Sequence, residues 1–177
     1  MYQIRDDKRT RKSAALLTEG LLKCLRDKSF NEVGISDICQ AGGVSRTTFY
    51  RLFDTPADVL AYACDSLAEE SLKICGKPGN HGREPKLVRF ISLLMENCEL
   101  LSAIVKCNRR EIIENSFSRY CSADNFQGDA GNGYFPVING AIITSMLFKW
   151  ERDGKRESAE ELYSIYREFL STQLEKI

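Results

Sequence analysis

The sequence predicts an all-α fold, and three observations carry that expectation. Apolar residues recur at helical spacing along most of the chain, as in Ala14, Leu17, Leu21, Cys24 and Leu25, or Leu162, Ile165, Tyr166, Phe169, Leu170 and Leu174. That spacing gathers them on one face of a helix. Several of these stretches begin at a hydroxyl residue placed to cap a helix, and glycine marks several of their ends. Pro is scarce, with 4 in 177 residues, and Gly is moderate at 12, so disorder is not the default. About nine helices are expected. They divide into a three-helix unit over 1–54, a connecting helix over 55–75, a loop over 76–84 and a helical unit over 85–177.

The N-terminus, MYQIRDDKRTRKSAALL, carries Arg5, Lys8, Arg9, Arg11 and Lys12 ahead of the apolar periodicity. A basic arm of this kind can meet phosphates or a minor groove, and it equally fits a solvated, frayed end. It has no apolar core or cleavage pattern of a secretion signal. The first long helix is expected from about Thr10 to Asp27, with Phe30, Val33 and Ile35 anchoring the next segment against it.

Residues Ile35 to Phe53, ISDICQAGGVSRTTFYRLF, read as helix, tight turn, helix. Ser36 is placed to cap the first helix. Gly42 and Gly43 end it, because glycine accepts the positive φ of a sharp turn. Val44 plugs the corner and Ser45 caps a second helix, Arg46 to Phe53. Phe49, Leu52 and Phe53 point inward. Thr47, Tyr50 and Arg51 line the opposite face, Arg46 and Thr48 its edges, and no carboxylate follows until Asp54. A helix entering the major groove needs this set: donors for phosphates and base edges, and no negative charge. An ordinary helical hairpin packed into a core shares the outline.

Thr55 then caps a helix with Pro56 in its first turn, where a missing N–H costs nothing. It runs through Leu60, Cys64, Leu67 and Leu72 to about Cys75. The segment 76–84, GKPGNHGRE, cannot continue a helix and holds His81, the only histidine. Helical spacing resumes with Leu87, Phe90, Ile91, Leu94 and Met95, continues with Leu100, Leu101, Ile104 and Val105, and returns from Asn108 to Cys121 with Ile112, Ile113, Phe117 and Tyr120. A Gly/Asp/Asn-rich loop over 123–133 precedes the most apolar helix, Tyr134 to Asp153. Apolar groups on more than one of its faces imply one face on the core and another on a partner. Gly154 ends it, and Ser158 with Glu161 forms a capping box for the last helix.

Phe30, the segment ISDICQAGGVSRTTFYRLF and the helix start from Thr55 to Leu60 resemble the DNA-binding domain of TetR/AcrR-type bacterial transcription regulators. The resemblance covers roughly residues 8 to 65, and Gly-Val-Ser-x-x-Thr-Phe-Tyr-x-x-Phe, starting at Gly43, is its most specific part. Gly42 stands where the family usually has Ala. Pro56 stands where it usually has Lys, so one common phosphate contact is missing or replaced. The resemblance implies a dimeric repressor on a near-palindromic operator, released by a small-molecule effector. DNA contacts are expected from Ser36, Ser45, Arg46, Thr47, Thr48, Tyr50, Arg51 and Thr55, with Lys8 and Arg11. Tyr50 is assigned to phosphate, and Arg46, Thr47 and Thr48 to base edges or flanking phosphates. The connecting helix would transmit a shift in the C-terminal unit to the spacing of two DNA-binding units.

An effector cavity would draw on Phe90, Met95, Phe117, Tyr120, Asn139 and Met146, although stripes of this kind are more often plain core. Residues 140 to 154 look like the family's interface helix, and dimer contacts are expected from Ile142, Met146, Lys149, Trp150, Leu162, Tyr166 and Phe169. Two terminal helices doubled by a two-fold axis make a four-helix bundle.

Net charge is zero, but residues 1–53 hold 10 Lys/Arg against 6 Asp/Glu, a balance of +4, and residues 54–177 hold 15 against 19, a balance of −4. A basic first third suits a DNA-binding unit on a non-binding remainder. Seven Cys, odd in number and irregular in spacing, fit neither a disulfide framework nor a zinc site. Most of the cysteines read as small buried apolar residues; the lesser alternative is a redox-sensing thiol, for which Cys107, beside Lys106, Arg109 and Arg110, is the candidate. No apolar run approaches the ~20 residues of a membrane span, so a cytoplasmic location without a membrane partner is expected. An enzyme is not expected: there is one His, no phosphate-binding glycine loop, no His-Glu-x-x-His and no nucleophile elbow. No cofactor or metal is implied. The alternative is a helical adaptor that keeps the fold without specific DNA binding.

Overall fold

The structure, a computed structural model, describes residues 2, 4, 7–75, 86–120 and 134–174. Among these residues there are nine α-helices, one 3₁₀ turn and no strand, so the all-α expectation holds. The helices are α1 (Lys8–Asp27), α2 (Ile35–Gly42), α3 (Arg46–Leu52), α4 (Pro56–Cys75), α5 (Lys86–Glu96), α6 (Cys98–Lys106), α7 (Arg110–Tyr120), α8 (Tyr134–Arg152) and α9 (Ala159–Leu174), with the 3₁₀ turn at Phe30–Glu32. Arg5, the segment 76–84 with His81, Cys121 and the segment 123–133 lie outside the described residues, as do the side chains of Leu72, Cys75 and Leu174.

Helix α1 begins earlier than its apolar pattern indicates. Asp7 caps it, with one carboxylate oxygen accepting the Thr10 N–H at 2.9 Å and the other the Thr10 hydroxyl at 2.5 Å. Lys8, Arg9, Arg11 and Lys12 are therefore residues of the helix, not of an arm preceding it. The cap of α2 also differs from expectation. Gly34 is the cap residue, and the Asp37 carboxylate accepts its N–H at 3.1 Å while pairing with Lys28 at 3.0 Å. The helix starts one residue before Ser36, so that hydroxyl lies inside the first turn and caps nothing.

The two glycines after Ala41 have separate duties. Gly43 takes φ +64°, the left-handed conformation, and the Val44 N–H turns back to the Cys39 carbonyl at 2.9 Å. Gly42 is helical and buried, and a Cβ there would lie 2.5 Å from the Leu16 carbonyl oxygen. Gly20 faces it from α1, where a Cβ would lie 2.5 Å from the Ile38 carbonyl oxygen and 2.8 Å from the Gly42 nitrogen. The backbones of α1 and α2 thus touch. The Ala that the resemblance leads one to expect at 42 has no room, because α1 occupies its place.

Helix α4 is the shared wall. Val59, Leu60, Cys64 and Ala68 are buried along it, and it packs against α1, α5, α6 and α7. Buried apolar residues from Ala14 to Tyr166 form one continuous cluster. Helices α7 and α8 approach closely at Gly140, where a Cβ would lie 3.3 Å from the Glu114 carbonyl oxygen. Gly154, at φ +96°, terminates the turn after α8. The expected capping box starts α9: Glu161 accepts the Ser158 N–H at 2.7 Å and Ser158 accepts the Glu161 N–H at 3.2 Å. No described helix is long and apolar enough to cross a membrane.

A methyl group at Gly20 has only backbone to push against. Gly20→Ala is expected to destabilise the chain by ~1–3 kcal/mol, read as an earlier denaturation midpoint in urea. Ser36→Ala removes no cap and should leave that midpoint in place.

Candidate nucleic-acid interface

Helix α3 is held by its inner face. Phe49, Leu52 and Phe53 are all but fully buried, and the Phe53 N–H bonds to the Phe49 carbonyl at 2.8 Å to finish the helix. Ser45 caps its start: the hydroxyl oxygen accepts the Thr48 N–H at 3.1 Å and lies 2.9 Å from the Thr48 hydroxyl. Ser45 and Thr48 therefore spend hydrogen-bonding capacity on each other. Arg46, Thr47, Tyr50 and Arg51 are exposed, Tyr50 to 54 % with its ring edge-on to Phe49. A rigid helix thus offers a row of donors to solvent.

The start of α1 joins this row. Arg9 and Arg51 line one open cleft of about 680 Å³ with Tyr2, Ile4, Asp7, Thr10 and Leu52. Asp7 is a carboxylate that sequence reasoning does not place near this face. Hydrogen bonds from the Thr10 hydroxyl and N–H hold its acidity above the ordinary carboxylate level, and the nearby Arg51 charge adds to that. Lys8 is exposed at the first position of α1. Arg11, paired with Lys8 in the sequence expectation, lines a different cleft beside Tyr62, Asp65 and Glu69. Thr55 is exposed and caps α4, its N–H and hydroxyl both directed at the Asp58 carboxylate at 2.9 Å.

Behind α3 lies a polar node without an apolar-pattern signal. Asp65, on the inner side of α4 and 2 % exposed, accepts the hydroxyls of Tyr2 and Ser116, and one Arg119 nitrogen sits 2.7 Å from both its oxygens. Burial and the bond to Asp65 keep the Tyr2 phenol protonated well above its usual range. Tyr2 and Asp65 line a cleft of about 640 Å³ with Arg11, Tyr62, Glu69, Lys73 and Tyr120. The one hint in the sequence is an acid at 65 between Cys64 and Ala68 on an otherwise apolar stripe.

The residues expected around an effector are dispersed. Phe90 and Phe117 are core. Met95 is half-buried against that core. Tyr120 borders the polar cleft, its hydroxyl 3.3 Å from Glu69, and Asn139 is buried and accepts the Tyr166 hydroxyl. Met146 lies on the outer side of α8.

That outer side carries several exposed apolar side chains. Val137 and Ile138 are exposed on α8, Ile165 and Phe169 on α9, and a groove of about 380 Å³ runs between Ala141, Ile142, Ser145, Met146, Ile165 and Phe169. Ile142, Met146 and Phe169 thus share one surface, with Lys149 exposed at its end and paired to Asp153. Trp150, Leu162 and Tyr166 are instead buried in the chain's own core, the Trp150 N–H donating to the Glu157 carbonyl at 2.8 Å. Helical spacing could not separate these sets, because α8 is apolar on both sides.

Cys107 is half-buried, and that burial pushes its thiol above the ordinary range despite Arg109 and Lys106. This is the reverse of what a thiolate sensor needs. No three His, Cys, Asp or Glu side chains gather as metal ligands among the described residues.

No family model matches the chain, and no curated protein matches it. Solved structures share its fold. Lin0861 from Listeria innocua superposes with a TM-score of 0.76 at 18% identity, over 97% of this chain and 96% of its own. DhaS, described as the dihydroxyacetone kinase operon activator, superposes with a TM-score of 0.59 at 18% identity, over 93% of this chain and 97% of its own. At this identity the likeness establishes the all-α architecture.

Removing the α3 cap tests how firmly the exposed row is held. Ser45→Ala should cost about 1 kcal/mol of stability and raise amide exchange in the first turn of α3, with Ser45→Asp restoring both.

Proposed function

We propose that this chain is a DNA-binding transcription regulator that works as a homodimer, each copy placing α3 in the major groove of one half of a near-palindromic operator. The supporting observation is the solvent-facing row of Arg46, Thr47, Tyr50 and Arg51 on a helix capped at Ser45 and anchored by three buried side chains. The row carries donors, no carboxylate of its own and an adjacent Arg9, which suits phosphate and base-edge contacts. Tyr50 and Arg51 take phosphate roles; Arg46 and Thr47 reach base edges; Arg9 replaces Arg11 as the α1 contact.

The α8–α9 groove is the proposed seat of the second copy. Pairing it with itself across a two-fold axis buries Ile142, Met146, Ile165 and Phe169, and a dimer is what half-sites ~34 Å apart require. A small molecule acting on the helical unit over 85–177 would release or engage the operator by favouring one spacing of the two α3 helices. The resemblance to TetR/AcrR-type regulators favours repression. Activation is the second reading, because DhaS, of the same architecture, is described as an operon activator.

Binding to a random-sequence duplex pool across a salt series is expected to retain an inverted repeat with a steep salt slope. Arg51→Ala should weaken that binding about tenfold or more and flatten the slope by about one unit; retained affinity at every salt concentration would sink the assignment of α3. Phe169→Glu should convert the dimer to monomer in sedimentation analysis while leaving helix content intact.

A further inference from the structure

Tyr2 touches the end of α3 and α4 directly, and meets α7 through a shared carboxylate. Its ring packs edge-on against Phe53, with centroids 6.3 Å apart, and against Tyr62 at 5.6 Å. Phe53 is the residue that ends α3. The Tyr2 hydroxyl donates to Asp65 on α4, the carboxylate that also accepts Ser116 and Arg119 of α7. One oxygen of Asp65 serves Ser116 and Arg119, the other Tyr2 and Arg119.

The partners are unequally committed. Ser116 is fully buried, so its hydroxyl has no water to turn to if Asp65 is lost. Arg119 is 46% exposed and can return to solvent. An unpartnered buried hydroxyl or carboxylate is costly. A displacement of α7 therefore either drags Asp65 or breaks the Ser116 bond, and in both cases the acceptor beneath Tyr2 changes position. Helix α7 is also where α8 is packed most tightly, at Gly140 against Glu114, and α8 carries the apolar groove.

We propose that Tyr2 is a positioning residue that couples α3 to α7, its ring fixing the end of α3 through Phe53 and its hydroxyl sharing Asp65 with Ser116 and Arg119. Its consequence for operator binding rests on the DNA-binding reading above. The coupling itself does not.

Tyr2→Phe keeps the ring and removes the hydroxyl. Hydrogen exchange on the full chain should then quicken about fivefold in α7 as well as near Tyr2, the factor expected from one lost hydrogen bond. Ser116→Ala should in return quicken exchange in α3, whose residues it does not touch, and Arg119→Gln serves if the Ser116 variant fails to fold. Changes confined to the element that carries the substitution would overturn the coupling, since a merely local packing role moves only neighbours. With an operator in hand, Tyr2→Phe should lower affinity several-fold at an unchanged salt slope; a flattened slope would make Tyr2 a phosphate contact and overturn the positioning role. Failure of the wild-type chain to retain any duplex would strike the DNA-binding reading and leave the exchange result decisive for the coupling.

Discussion

A helix as short as α3, 7 residues, has no independent stability in water, because nucleation costs more than so few hydrogen bonds return. Everything the exposed row can do depends on burying the opposite face. Phe49, Leu52 and Phe53 supply that burial, each worth roughly 1.5–3 kcal/mol when removed from water. The surrounding helices serve as the surface against which these three side chains pack. The cap at Ser45 and the left-handed turn at Gly43 then fix the direction in which the row points.

The same helix α4 that helps enclose this cluster also holds the most demanding polar group described, Asp65. A carboxylate so deeply buried survives only with its lone pairs occupied, and it draws its donors from the N-terminus and from α7, distant in sequence. Apolar packing and one saturated carboxylate therefore meet on a single helix. Elsewhere two exposed contacts are made: Arg26 of α1 with Glu99 of α6 at 2.6 Å, and the Arg109 guanidinium 5.4 Å over the ring of Phe30 in the 3₁₀ turn. Exposed pairs of this kind contribute little.

Helix existence and inward faces were legible because helical spacing and burial follow the same physics. Ala14, Leu17, Leu21, Phe49, Leu52 and Phe53 are buried as their spacing predicts, and the cap at Thr55 and the box at Ser158 are present. What the spacing could not supply was pairing between distant segments. Nothing local marks Asp65 as a partner of Tyr2, or distinguishes Arg9 beside Arg51 from Arg11 over the polar cleft. The start of α1 was hidden because Asp7 caps a turn made of charged residues, which carry no periodic signal. On α8, two apolar faces of similar strength concealed which of Met146 and Trp150 meets the core.

The contact between Gly20 and Gly42 bears on how portable this unit is. Two helices whose backbones touch form a matched pair, each shaped to the absence of a side chain on the other. A segment 35–53 transplanted from another chain with Ala at position 42 would bring a methyl group into the path of α1 at Leu16. Such a chimera calls for α1 to travel with the segment it supports. Helices α1 and α2 are therefore exchanged together, and changes in the exposed row are best made one side chain at a time.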